Sequence, residues 1–104
     1  MKPCVPSASA TTDIDGATDY YLNEASPEVA FQFIEAYDQA LAHISRFPWT
    51  GSPKYAQEGA ALTLRFWGLS RFPYAVFYLE WPERIELVRV LHQASDIPEH
   101  LSTD

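Results

Sequence analysis

Between Leu62 and His92 the chain reads LTLRFWGLSRFPYAVFYLEWPERIELVRVLH. Three runs rich in β-branched and aromatic residues are separated by Gly, Ser and Pro, the pattern of a strand meander. In the first run Leu62, Leu64 and Phe66 alternate with Thr63, Arg65 and Trp67, and Gly68 to Pro73 turns the chain. In the second, Ala75, Phe77 and Leu79 alternate with Tyr74, Val76 and Tyr78, and Trp81-Pro82-Glu83 turns it again. In the third, Ile85, Leu87, Arg89 and Leu91 alternate with Glu86, Val88, Val90 and His92. Both faces of this last run are fairly apolar, which suits a central strand.

Upstream the period changes from two to that of a helix. Ser26-Pro27-Glu28 is a helix start: Ser caps, Pro fits the first helical position, and Glu favours the positive end of the dipole. Ala30, Ile34, Tyr37, Leu41 and Ile44, widened by Phe33, then form one apolar stripe that Pro48 ends. Before it, Ser7 to Ala25 reads as a first helix capped by Ser7 or Ser9, with Ile14, Ala17, Tyr21, Leu22 and Ala25 on one side. Gly16 weakens it by about 1 kcal/mol relative to Ala. The short joint makes the two helices antiparallel neighbours. Lys2 to Pro6, interrupted by proline, is either an edge strand or coil. Trp49 to Ala61 is a connecting loop, and Asp96 to Leu101 one helical turn. The expected fold is α+β: an N-terminal helical hairpin packed on a small antiparallel sheet, with the other sheet face partly open.

At 104 residues the chain is expected to be a single domain, 1–104. Apolar residues make up 47% and charged residues 20%, so disorder is not the expectation. The net charge of −7 opposes direct nucleic-acid binding by the chain alone. Three basic and eight acidic residues stand in 1–60, but four and six in 61–104, and all four of the latter basic residues, Arg65, Arg71, Arg84 and Arg89, fall inside the meander. Cys4 is alone, and His43, His92 and His100 have no ligand spacing, so neither a disulfide within the chain, a metal site nor a cofactor is expected. No run approaches the roughly 18 apolar residues of a membrane span. With no signal-peptide pattern either, the expectation is a cytoplasmic protein without membrane association.

In sequence order, a set of residues carries a family resemblance. It comprises Ser7 to Ala10 with Asp13-Ile14 and Asp19-Tyr20; Ser26-Pro27-Glu28, Ala30 and Phe33-Ile34; Ile44, Phe47-Pro48 and Gly51; and Leu64-Arg65. Arg71-Phe72-Pro73-Tyr74-Ala75-Val76-Phe77-Tyr78 follows, then Ile85, Val88 to His92 and Asp96. Together they resemble a ParE-type toxin of the RelE/ParE superfamily, a plasmid stabilization system toxin. The Arg71–Tyr78 run and Val90-Leu91-His92 weigh most. One corner departs: the family's His-Gly-Arg-Arg-Asp stands here as His92-Gln93-Ala94-Ser95-Asp96.

The resemblance implies a RelE/ParE-like two-layer fold and the toxin half of a type II toxin–antitoxin module. It implies a ParD-like antitoxin as partner and DNA gyrase as target, inhibited by binding and not by turnover. The alternatives are a RelE-like ribosome-dependent mRNA endonuclease and a non-toxic antitoxin-binding relative. The tail after Asp96 has no Lys, Arg or Tyr, which weighs against the endonuclease.

No catalytic residue is assigned. The partner-binding candidates are Arg65, Arg71, Tyr78, Trp81, Arg89, His92 and Asp96. Arg65 would hold a partner carboxylate through its guanidinium fork, or pair with Glu80 or Glu86. Arg89, among Leu and Val, is stem-buried or paired. Arg71 sits at a turn, where a solvated charge is the plain alternative. Tyr78 is core or interface. His92 and Asp96 are expected to fasten the tail to the sheet, with Asp96 as partner of His92 and as helix cap. Trp81 is expected exposed at a hairpin tip, while Trp49 caps the end of the core.

Overall fold

The computed structural model describes residues 1–102; Thr103 and Asp104 of the expected domain lie outside the described residues. A short strand β1 (Cys4–Pro6) leads into helices α1 (Ala8–Glu24) and α2 (Pro27–Arg46). A 3₁₀ turn, Pro48–Thr50, and a loop follow. Strands β2 (Arg65–Gly68), β3 (Tyr74–Glu80) and β4 (Ile85–His92) and a closing helix α3 (Ile97–Leu101) complete the chain. The sheet order is β1-β4-β3-β2, so β4 is central, as its two apolar faces require.

The helix starts are those written in the sequence. Ser26 accepts from the Val29 amide at 3.2 Å, with Pro27 in the first turn. Ser7, not Ser9, caps α1, accepting from the Ala10 amide at 3.0 Å. Ser7 also reaches the sheet: its amide donates to the Leu87 carbonyl and its hydroxyl to that of Val88, both at 2.9 Å. One residue therefore ends β1, starts α1 and holds both to β4.

Four expectations change. The sheet is mixed, because β1 runs parallel to β4, pairing Cys4 with Ile85 and Pro6 with Leu87. Pro6 is tolerated because β1 is an edge strand. The first meander run begins pairing only at Arg65; Leu62 to Leu64 carry apolar side chains without ladder hydrogen bonds. On α1, Leu22 and Ala25 are exposed and Ala10 is fully buried. On α2 the deepest line is Ala30, Phe33, Ala36, Ala40 and Ile44, with Ile34, Tyr37 and Leu41 half-buried. Small residues bring the helix close to the sheet, and the bulky ones flank that contact.

The alternation of β4 also fails midway. Phe77 pairs with Arg89 but Tyr78 with Leu87, so Val88 is an extra, unpaired residue, a β-bulge. The bulge changes the parity. Ile85, Leu87 and Val90 join the helix-side core with Val76 and Tyr78, while Leu91 joins the opposite side with Ala75 and Phe77.

That opposite face is also covered. Ile97 and Leu101 of α3, with Tyr55, Leu64 and Phe66, pack on Ala75, Phe77 and Leu91. What stays open is a groove of 600 Å³ that Leu62, Leu79, Trp81 and Val88 help to line.

Two glycines separate space from necessity. A Cβ on Gly51 would overlap the Tyr78 hydroxyl and lie 3.0 Å from the Phe66 carbonyl oxygen. A Cβ on Gly16, inside α1, meets nothing within 4 Å. In urea unfolding, Gly51→Ala is expected to lower stability by about 1–3 kcal/mol. Gly16→Ala is expected to raise it by roughly 0.5–1 kcal/mol.

Candidate functional site

The seven candidate residues do not converge on one point. They group at two places, and Trp81 and Arg71 each stand apart.

Arg89 lies at the first. The β1 ladder ends at Leu87, and beyond it α1 runs along the open edge of β4. There Asp13 accepts from the Val90 amide at 2.9 Å, filling the place of a strand partner. The same carboxylate takes two bonds from Arg89, from Nε at 2.7 Å and Nη2 at 2.9 Å. Arg89 Nη1 donates to the His100 carbonyl of α3 at 2.9 Å. Side-chain exposures of 25% for Arg89 and 14% for Asp13 make this a largely desolvated pair. The hydrogen bonds that Arg89 donates to Asp13 raise its pKa further, so the charge is permanent. Arg89 is thus a fastening between α1, β4 and α3, the paired alternative of the sequence reading.

His92 and Asp96 stand near the same end. Asp96 caps α3, accepting from the Glu99 amide at 3.4 Å, as expected of it. It is not the hydrogen-bond partner of His92. The His92 Nδ1 accepts from the Ala94 amide at 3.0 Å, and the His92 carbonyl accepts from the Ser95 amide and hydroxyl. The corner that replaces two family arginines with Ala94 and Ser95 is therefore closed by local backbone bonds. The His92 ring meets Tyr74 edge-on at 5.1 Å.

Arg65 and Tyr78 form the second place, around the Pro48–Thr50 turn. Tyr78 is 1% exposed. Its hydroxyl donates to the Pro48 carbonyl at 2.7 Å and accepts from the Gly51 amide at 3.1 Å. Burial pushes its pKa above the ordinary tyrosine value, so it stays protonated. Arg65 Nη1 donates to the Gly51 carbonyl at 2.9 Å. Neither expected carboxylate takes Arg65: Glu80 pairs with Lys2 at 2.6 Å, and Glu86 accepts from Trp81 Nε1 at 3.0 Å. A backbone carbonyl outcompetes both because the turn brings it next to the strand. Trp49 corrects the other expectation here. It is 63% exposed instead of capping the core.

Trp81 and Arg71 lie apart. Trp81 is only half-exposed: its ring carries Arg84 at 5.0 Å and its far side lines the 600 Å³ groove. Arg71 is exposed and has a left-handed backbone, φ 73°, at the mouth of a 180 Å³ cleft with Gln32 and Glu35. A non-glycine residue there is strained.

Sequence reasoning missed the role of Asp13, named only among the residues of the family resemblance, and the exposed rings of Phe31 and Phe47. Phe31 could have been found, since it lies off the apolar stripe of α2. Among the described residues no group of three or more His, Cys, Asp or Glu could hold a metal ion, and no helix is long and apolar enough to cross a membrane.

A helical hairpin on a four-stranded mixed sheet, with its polar side chains spent on fastening elements together, defines a small two-layer α+β protein. Residues 5–97 match the family model described as ParE toxin of type II toxin-antitoxin system, parDE, and the chain belongs to that family. Among solved structures it is similar to a chain described as "Chromosomal ParDE TA system from P. aeruginosa". That match has a TM-score of 0.67 at 17% identity, covering 88% of this chain and 96% of the other. No curated protein matches.

Two outcomes follow from the pinned tyrosine and the half-buried pair. Tyr78 has its pKa raised above the unfolded value of about 10. Its contribution is therefore complete below pH ~10 and lost as pH rises through the folded-state value. Tyr78→Phe should cost about 1–3 kcal/mol at pH 7 and flatten the alkaline fall in stability, read by urea unfolding at several pH values. Asp13→Ala strands both the Val90 amide and Arg89 and should cost about 1–3 kcal/mol; Arg89→Met should recover part of that loss in the double variant.

Proposed function

We propose that this chain is a toxin that inhibits DNA gyrase by binding it, and that a ParD-like antitoxin neutralises it by covering its surface. The observation that carries the reading is the family match over residues 5–97, joined to the state of the polar groups a nuclease would need. Tyr78 is buried and doubly hydrogen-bonded, and Arg89 is held by Asp13. General acid–base chemistry needs a group within reach of substrate with a pKa near the working pH. Tyr78 meets neither condition. The tail after Asp96 supplies no Lys, Arg or Tyr. Binding is the function left to such a surface, and no cofactor enters it. Gyrase and antitoxin place the action in the cytoplasm.

A second reading has its own observation. Ala94 and Ser95 stand where the family carries two arginines, and the corner closes without them. A relative that binds antitoxin but has lost toxicity would tolerate that replacement.

One experiment separates the readings. The chain is expressed without a partner, and growth, gyrase supercoiling and transcript integrity are followed. Arrested growth with inhibited supercoiling and intact transcripts is the expected result. Cleaved transcripts would restore the endonuclease. Normal growth with active gyrase would leave the non-toxic relative, and restoring arginines at 94 and 95 should then bring inhibition back.

A further inference from the structure

Along the β2 edge of the molecule runs a row of rings. The His43 ring stacks on Trp67 at 3.8 Å, Phe47 follows at 5.3 Å from His43, and Trp49 stands perpendicular to Phe47 at 5.9 Å. The last two are exposed by 42% and 63%. Water-exposed aromatic surface of this kind is costly unless something covers it. Trp49 also walls a cleft of 260 Å³ whose other lining residues include Arg65, Leu62 and Glu80.

The charge in that cleft is positive. Lys2 neutralises Glu80 at 2.6 Å. Among the described residues Arg65 has no carboxylate within ion-pair distance; its one bond goes to the Gly51 carbonyl. One guanidinium nitrogen is thus anchored while the fork keeps further donors, the arrangement suited to a carboxylate. Arg46, exposed at the end of α2, adds a second charge beside Phe47. On a chain of net charge −7, an aromatic cleft whose one lining cation has no carboxylate partner among the described residues is a local inversion of sign. The wall is rigid as well, because Tyr78 and Arg65 hold the Pro48–Gly51 turn from beneath. Little ordering is left for binding to demand.

We infer that this cleft receives an acidic, extended segment of the antitoxin, which sets a carboxylate on Arg65 and an apolar side chain against Phe47 and Trp49. The occupant rests on the reading of this chain as an antitoxin-held toxin. The site rests on the cleft itself.

The test uses the full chain and a labelled synthetic peptide spanning the C-terminal half of the antitoxin encoded beside it, with anisotropy as readout. Trp49→Ala, Phe47→Ser and Arg65→Gln should each weaken binding tenfold or more. Arg46→Glu should weaken it less and reduce its salt dependence. A peptide with its acidic residues changed to Lys should bind at least tenfold more weakly than the parent. Melting temperatures check the fold; Trp49→Ala, at an exposed ring, serves if Arg65→Gln loosens the turn. Wild-type binding that all these variants retain within twofold would overturn the site and leave the antitoxin reading standing. Absence of wild-type binding would overturn that reading, and the named occupant with it. A dimer of the free chain that Trp49→Ala dissolves would assign the cleft to a second copy instead.

Discussion

The fold depends on one carboxylate. Asp13 sits where β1 has ended and β4 still has an open edge, and it supplies the acceptor that a longer strand would have supplied. Without it the Val90 amide loses its acceptor. Arg89 brings a guanidinium fork to the Asp13 carboxylate, and Arg89 is in turn held by α3 through the His100 carbonyl. Half-buried pairs often contribute little net stability compared with an apolar replacement. Their contribution here is register. The bonds fix how far α1 lies along β4, and so which rings of the hairpin meet which rings of the sheet. Tyr21, Phe33, Phe72 and Tyr74 then pack with ring centroids 5.1–6.3 Å apart.

A second fastening works at the other end of the sheet. Tyr78 reaches out of the core to bond a turn on both sides, and only a residue without a side chain fits at Gly51 to receive it. The resulting rigidity is spent on display. The turn holds Phe47 and Trp49 in water beside Arg65, all within a few residues of the buried hydroxyl. Core and contact surface are therefore not separate parts of the chain. The same tyrosine that completes one presents the other.

Most of the architecture was legible because it depends on local chemistry. Ser26-Pro27-Glu28 starts a helix wherever it occurs, and the alternation of Tyr74 to Leu79 reads the same in sequence and structure. The family resemblance, carried by the Arg71–Tyr78 and Val90–His92 runs, holds too. The misreadings share a different character. The Val88 bulge is a relation between two strands, so no pattern within β4 announces it. Arg65 was matched to carboxylates because charges are visible in a sequence, whereas its partner is a carbonyl that every residue carries. Asp13 and Arg89 lie 76 residues apart, and nothing local marks them as a pair. Trp49 was placed at the core end because hydrophobicity argues for burial, a rule that does not hold for every large ring, and this one stands 63% exposed.

The parallel pairing of β1 has a consequence for how the protein is made. Ser7 bonds Val88, 81 residues further on, so the first and last thirds of the chain must meet before the sheet is complete. Closing a loop of that size costs roughly 4 kcal/mol of chain entropy, which only the finished interface returns. A ribosome that has released no more than the helical hairpin has made a stripe of Phe33, Ile44 and the alanines between them with only α1, and no sheet, to lie against. Contacts so distant in sequence slow folding. During synthesis the chain thus passes through an interval in which its apolar face is uncovered and its binding surface is unbuilt. A molecule that recognises the unfinished hairpin would meet this protein earlier than one that recognises the finished edge.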